Sequence, residues 1–272
     1  MKPALFDRYL DILGVEPGSP NSGLLTELVS AQLVAAPFEN ISKLHRLRTT
    51  GSTTIPDLEE YLDGIENWRL GGTCYANNHH FFALIEWLGF PVSLCGADMS
   101  EADVHMVSMV NLGGREFMID VGYAAPFYKP IPRDLDKAHI IDFGRCRYVF
   151  HPQDEQRRSR LELFRDGVSI HGYLAKPEPR PLTHFDQAVA DSFRPDSTFM
   201  NALVIERFTP DGGSTRIHNL SLIETPADGP SVTTKLADRD HLIGGIEDRF
   251  GVPSEVVRTA VEGVDLEADI YN

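Results

Sequence analysis

The chain has 272 residues, 42% of them hydrophobic, with 25 Lys and Arg against 40 Asp and Glu, a net charge of −15. That length and apolar share supply a core for one large or two ordinary domains, and the acidic balance argues against a general nucleic-acid or anionic-membrane surface. With no run of about 18 apolar residues, no leader pattern, and only three cysteines without a C-x-x-C pair, a cytoplasmic protein without structural zinc or a disulfide framework is expected.

In chain order, Leu5, Phe6, Tyr9, Leu10 and Leu13 form an apolar stripe that stops at Gly14. Leu24, Leu25, Leu28, Val29 and Leu33 form another before Pro37, and both have the spacing of helices with one buried face. Ala36-Pro37-Phe38-Glu39-Asn40-Ile41 breaks the pattern, and Pro56 to Ile65 reads as a third helix with Pro56 near its first turn. Then comes Trp68-Arg69-Leu70-Gly71-Gly72-Thr73-Cys74, a glycine turn leading into a helix that Asn78, Phe81, Ile85 and Leu88 place on one face and Gly89 ends. Thr73 is its expected N-cap and Cys74 lies in its first turn. Unpaired N–H groups and the positive helix end favour a thiolate there.

From Pro91 the period switches from helical to alternating. Val104 to Val110 and Glu116 to Val121 are strands joined through Asn111-Leu112-Gly113-Gly114-Arg115, a hairpin signal. Pro126 to Ser159 is rich in proline and charge and reads as irregular. Strand patterns return at Arg160 to Phe164 and Val168 to Leu174, around the turn Asp166-Gly167. A second hairpin runs from Phe199 to Phe208, turns at Pro210 to Gly213, and returns from Thr215 to Ile223. Asp238 to Phe250 is a helix with Leu242, Ile243, Ile246 and Phe250 on one face. The order is helices, then an antiparallel sheet or small barrel, then an α+β lobe, with boundaries near 90 and 195.

The hairpin brings a second pair of chemical groups together. His105 and Asp120 are an odd number of residues apart, which puts both side chains on one sheet face across a two-residue loop. If the loop is Leu112-Gly113 they stand directly opposite; if it is Gly113-Gly114 they are diagonal neighbours, still in reach. An imidazole oriented by a carboxylate is the proton acceptor that a cysteine nucleophile needs, so Cys74, His105 and Asp120 together point to acyl transfer. No other histidine has a partner at metal-ligand spacing, and Cys95 and Cys146 lack a glycine turn or helix start.

These residues resemble the arylamine N-acetyltransferases. Pro37-Phe38-Glu39-Asn40-Ile41 is similar to the family's P-F-E-N-L segment, and Gly71-Gly72-Thr73-Cys74 with Asn78 to its cysteine motif. His105 with Val107 and Ile119-Asp120-Val121-Gly122-Tyr123 resemble its histidine strand and D-V-G-F-G segment. Pro195-Asp196-Ser197-Thr198-Phe199 through Val204, with Asp211-Gly212, is similar to the start of its third domain. The resemblance implies an α+β fold with a cysteine-proteinase-like core: a helical domain at 1–90 carrying the cysteine, a β-barrel at 91–195 carrying histidine and aspartate, and an α/β lid at 196–272. It implies a cytoplasmic monomer or homodimer that moves an acetyl or short acyl group from acetyl-CoA, through a thioester on Cys74, to an aromatic amine or hydrazine. No metal takes part, and Phe38 and Tyr123 match positions lining the acceptor pocket.

The sequence departs from the family motif R-G-G-x-C-x-E-x-N at Leu70 and Ala76, and has Ala124-Ala125 where glycine is usual. Because Glu39 is retained, Arg69 is expected to reach it in place of the displaced motif arginine. The other readings are an amide synthase using a carrier-bound thioester, a Cys-His-Asp hydrolase, and a binding module without catalysis.

Overall fold

The two N-terminal stripes form α1 (Pro3–Leu13) and α2 (Ser22–Ala35) in the computed structural model, which describes residues 3–267. Gln32, the one polar group on the buried face of α2, accepts a hydrogen bond from the Tyr9 hydroxyl at 2.7 Å, as a buried amide requires. A short strand, β1 (Phe38–Glu39), precedes α3 (Ile41–Thr50), a helix absent from the sequence reading. Only Ile41 and Leu44 of α3 are buried, too few to write an apolar stripe.

The next helix, α4 (Leu58–Trp68), starts behind Asp57 instead of at Pro56: the Asp57 carboxylate accepts the Glu60 N–H at 2.9 Å and caps the first turn. Then α5 (Cys74–Trp87) begins on the cysteine, with the Thr73 carbonyl taking the first intrahelical bonds from Ala76 and Asn77. It ends as expected: Gly89 is left-handed and the Phe90 N–H reaches back to the Ile85 carbonyl.

Eight strands follow in one antiparallel sheet curled into a nearly closed barrel, in the order β5-β4-β3-β2-β9-β8-β7-β6. They are β2 (Val92–Asp98), β3 (His105–Leu112), β4 (Arg115–Ile119), β5 (Ile131–Pro132), β6 (His139–Phe143), β7 (Cys146–Phe150), β8 (Ser159–Arg165) and β9 (Val168–Pro179). The β3–β4 turn is Gly113-Gly114, both at positive φ, the conformation a two-residue hairpin needs. Leu112 pairs with Arg115 and Ser108 with Ile119, the register that makes His105 and Asp120 diagonal neighbours. The segment read as irregular contains β5, β6 and β7, because the β6–β7 hairpin buries few side chains.

The second sheet has the order β1-β10-β11-β12-β13, with β10 (Val204–Phe208), β11 (Ser214–His218), β12 (Ser221–Thr225) and β13 (Val232–Lys235). The strand expected from Phe199 starts only at Val204. Residues Thr198–Asn201 form a helical turn instead, and Asn40 holds the junction: its Oδ1 accepts the Val204 N–H, and its Nδ2 donates to the Phe199 and Ala202 carbonyls. The expected C-terminal helix is Arg239–Phe250, capped by Asp238, and a further helix spans Ser254–Ala260. Their apolar faces pack with Ile205, Ile217 and Leu222 in one core that also buries Leu70.

Contacts divide the chain into two compact units. One holds the chain to Leu33, Asn78–Val121 and Ala125–Phe185, including the barrel; the other holds Val34–Asn77, Gly122–Ala124 and the chain from Asp186 onward, including the second sheet.

Candidate active site

The cysteine loop is shaped by close backbone approach. A Cβ on Gly71 would lie 2.3 Å from the Pro37 carbonyl oxygen, and one on Gly72 would lie 2.7 Å from the Ala76 Cβ, so neither position admits a side chain. That absence lets the loop bond to the β1 segment, with Glu39 N–H donating to the Gly72 carbonyl and Gly72 N–H to the Pro37 carbonyl. Asn77 fastens the same turn: its Nδ2 donates to the Gly72 carbonyl at 3.0 Å while its Oδ1 accepts the Tyr61 hydroxyl. Cys74, 8% exposed, is therefore delivered at the first residue of α5 by a turn that these hydrogen bonds hold to β1 and α4.

In the barrel unit, His105 opens β3 and Asp120 follows β4, and both are buried. His105 Nε2 lies 2.8 Å from Asp120 Oδ2. An ionised carboxylate only accepts, so Nε2 carries the proton and Nδ1 is the basic nitrogen of the ring. The other carboxylate oxygen, Oδ1, accepts from Asn78 Nδ2 at 2.9 Å; the same amide donates to the Met106 carbonyl, and its oxygen accepts the Val121 N–H. Asn78 thus clamps the carboxylate and both hairpin strands. The sequence reading placed Asn78 on the helix stripe and in the cysteine motif without a role of its own; a lone amide on such a face was the signal of a buried polar role.

The expected Arg69–Glu39 pair does not form. Arg69 is left-handed at the C-cap of α4, and a Cβ on Gly251 would fall 3.6 Å from its Cγ. Glu39 instead accepts from Ser42, N–H at 2.8 Å and Oγ–H at 2.6 Å, with no cation among the described residues. Burial raises its pKa to about 7, opposed by those Ser42 bonds. With Leu70 in the core where the motif has arginine, no guanidinium offsets that burial, and the carboxyl keeps its proton to well above the usual carboxylate range.

The pH dependence follows in sign. An unfolded Glu39 ionises near 4.5 and the folded one near 7, so folding stability falls as pH rises across that window and the cost is complete above it. At ~1.4 kcal/mol per pH unit the cost is about 3 kcal/mol. Glu39→Gln, which can keep both Ser42 bonds, is expected to stabilise by roughly 2–3 kcal/mol at pH 8 and by almost nothing at pH 4. Urea denaturation at the two pH values checks this, and equal shifts at both would refute the protonated carboxyl.

Phe38 is half-buried and stacks edge-on with Phe199, ring centroids 5.6 Å apart. Tyr123 is half-buried in the loop after β4, and the next residue, Ala124, is left-handed at φ 59, the conformation a glycine takes without a Cβ penalty. Cys95 is buried, which pushes its thiol up to about 12, and Cys146 lies on β7. No group of three or more His, Cys, Asp or Glu among the described residues is placed to hold a metal ion.

The sequence reading passed over Lys43. Its ammonium donates to the Ser192 carbonyl and hydroxyl and sits 4.2 Å from the centroid of the Phe193 ring. Burial lowers its pKa to about 8, against the opposing attraction of Cys74.

A sequence profile described as N-acetyltransferase matches residues 23–258. The chain is 26% identical over 217 residues to the pineal gland isozyme NAT-3 arylamine N-acetyltransferase of Gallus gallus, covering 71% of this chain and 73% of that protein. It is 22% identical over 191 residues to arylamine N-acetyltransferase 2 of Mus musculus, covering 67% of this chain but only 55% of the mouse protein. Among solved structures, the arylamine N-acetyltransferase of Nocardia farcinica superposes with a TM-score of 0.77 at 25% identity, over 97% of this chain and 95% of that one. The Mycobacterium marinum enzyme in complex with CoA gives 0.77 at 20% identity, over 95% and 99%. The fold is thus the cysteine-proteinase-like α+β architecture, with a barrel that carries a buried histidine–carboxylate pair. Within that class, the chain belongs to the arylamine N-acetyltransferase family of enzymes.

Proposed function

We propose that this protein transfers an acetyl or short acyl group from acyl-CoA to an aromatic amine or hydrazine through a thioester on Cys74. The observation that carries the reading is the Asn78 clamp. One helix, α5, starts at Cys74 and one turn later presents Asn78, which hydrogen-bonds the carboxylate that orients His105.

In the first half-reaction the His105 Nδ1 takes the Cys74 proton, and Sγ attacks the thioester carbonyl. The carbon–sulfur bond to CoA then breaks, and the departing thiolate regains the proton from the imidazolium. In the second half-reaction the amine nitrogen attacks the new thioester, Cys74 leaves as thiolate, and His105 takes the proton shed by nitrogen. Asp120 holds the ring and stabilises the imidazolium, and the Cys74 backbone N–H is an oxyanion donor. Phe38, beside Phe199, and Tyr123 contact the acceptor ring. The nucleophile carries this chemistry without a metal. The protein acts in the cytoplasm as a monomer or homodimer on small molecules; no helix among the described residues is long and apolar enough to cross a membrane.

Intact-mass and peptide mass spectrometry after mixing with acetyl-CoA tests the reading. One acetyl group is expected on Cys74 and none in Cys74→Ala; an adduct on Cys95 or Cys146 would refute it. A carrier-bound donor in place of CoA is distinguished in the same experiment by loading from an acyl carrier protein but not from acetyl-CoA.

A further inference from the structure

A cavity of about 420 Å³ lies within the unit that carries Cys74, between α3, α4, the glycine–cysteine loop and residues 189–193. Its volume is in the range of small-molecule sites, roughly 300–1,000 Å³. Gly72, Thr73, Tyr75 and Ala76 line it and Cys74 does not, so this space adjoins the loop that delivers the nucleophile while the thiol is directed elsewhere.

Charge balances in the wall. Lys43 and Arg46 stand against Glu60 and Asp63, two cations and two carboxylates. Arg46 pairs with Glu60 at 2.7 Å, and the Lys43 ammonium donates to the Ser192 carbonyl and hydroxyl. Burial lowers the pKa of His45, which keeps that ring neutral at pH 7. A ligand charge brought into such a wall would lose its hydration without gaining a counter-ion, so the site favours an uncharged molecule.

The apolar part of the wall is aromatic, with rings from Tyr61, Trp68 and Phe193. Trp68 is 37% exposed, yet His45 holds it edge-on, ring centroids 5.2 Å apart. An indole already fixed and still partly uncovered can take a partner ring without first being ordered. Gly64 keeps the space open. It sits inside α4, where glycine costs stability relative to alanine, and packing does not demand it: within 4 Å a Cβ there would meet only the Leu70 carbonyl oxygen, at an ordinary 3.7 Å.

We infer that this cavity is a second binding site, apart from the thiol, for a small uncharged molecule built on an aromatic ring. The occupant lies against Tyr61, whose hydroxyl donates to Asn77 Oδ1 at 2.9 Å, while Asn77 Nδ2 holds the Gly72 carbonyl at 3.0 Å. Two hydrogen bonds thus connect the site to the turn that delivers Cys74. The inference does not depend on the acyl transfer.

Ligand-observed NMR titration at pH 7 tests it with benzamide against benzoate, benzylamine and cyclohexanecarboxamide, molecules of similar size that differ in charge or in aromaticity. Benzamide is expected to bind saturably, the anion and the cation about ten-fold more weakly or worse, and the saturated ring roughly three-fold more weakly or worse. Carbamidomethylation of Cys74 should leave benzamide binding unchanged. Gly64→Leu, which puts a side chain into the space, should abolish it, and Trp68→Ala should weaken it, so the test survives if one variant fails to fold. Absence of saturable benzamide binding would overturn the inference, as would equal affinity for any of the other three probes. Benzamide binding that is lost on blocking Cys74 would overturn it too, because the ligand would then occupy the site of reaction. Binding unchanged in the folded variants would place the ligand elsewhere and overturn it likewise.

Discussion

Asp120→Asn is expected to slow acylation of Cys74 by acetyl-CoA by about 10³–10⁴-fold, on the scale seen when a triad carboxylate is neutralised, while the protein remains folded. The hydrogen bonds dictate how. Asn78 donates to Asp120 Oδ1 and His105 Nε2–H donates to Oδ2. An asparagine has one acceptor, and the Asn78 amide cannot turn to offer another group, because its oxygen is already committed to the Val121 N–H. The new amide therefore gives its oxygen to Asn78 and turns its NH₂ toward His105. To accept that bond, Nε2 must lose its proton, and the ring becomes protonated on Nδ1, the nitrogen that must receive the cysteine proton in the proposed mechanism. Alkylation of Cys74 by iodoacetamide at pH 7 should slow in parallel, with an unchanged circular dichroism spectrum. Acylation within three-fold of the native rate would remove Asp120 from the reaction.

What the sequence made legible, and what it did not, divides along physical lines. The cysteine loop could be read because Gly71 and Gly72 mark a place where only hydrogen fits, and such marks survive without knowing what presses on them. The His105–Asp120 pair could be read because strand parity is rigid: only two registers were open, and both kept the side chains on one face. The α3 helix could not, since a segment that buries only Ile41 and Leu44 carries no periodic signal, and the β6–β7 hairpin escaped for the same reason. Glu39 was misread for a different cause. A charge in a motif invites a countercharge, and Arg69 was the nearest in sequence. Its left-handed cap position directs it away, and desolvation raises the Glu39 pKa instead of a countercharge holding it down. Lys43 lay beyond sequence reading, and Asn78 could be placed in the cysteine motif but not given its role, since their meaning comes from partners at 192, 106, 120 and 121.

Asn78→Leu is expected to destabilise the fold by roughly 3–6 kcal/mol, from up to three buried groups left without partners at ~1–3 kcal/mol each, less what is recovered by relaxation. Those groups are the Met106 carbonyl, Asp120 Oδ1 and the Val121 N–H. Against a total stability of about 5–15 kcal/mol this is a large fraction, and the melting temperature should drop by roughly 10 °C or more. Asn78→Asp separates lost packing from lost hydrogen bonding. It keeps the shape and can still accept the Val121 N–H, but it sets a second carboxylate against Asp120 Oδ1 and against the Met106 carbonyl, where a donor stood. Two carboxylates in one buried site hold a shared proton, so the pair titrates above the ordinary range. Because the folded state then binds more protons than the unfolded one, stability relative to the native protein is lost as pH rises and recovered as it falls. Urea denaturation of Asn78→Asp at pH 5 and pH 8 should therefore show the larger deficit at pH 8. A variant as stable as the native protein at pH 8 would mean that the amide donates nothing the barrel requires, and that the orientation of His105 is maintained from elsewhere.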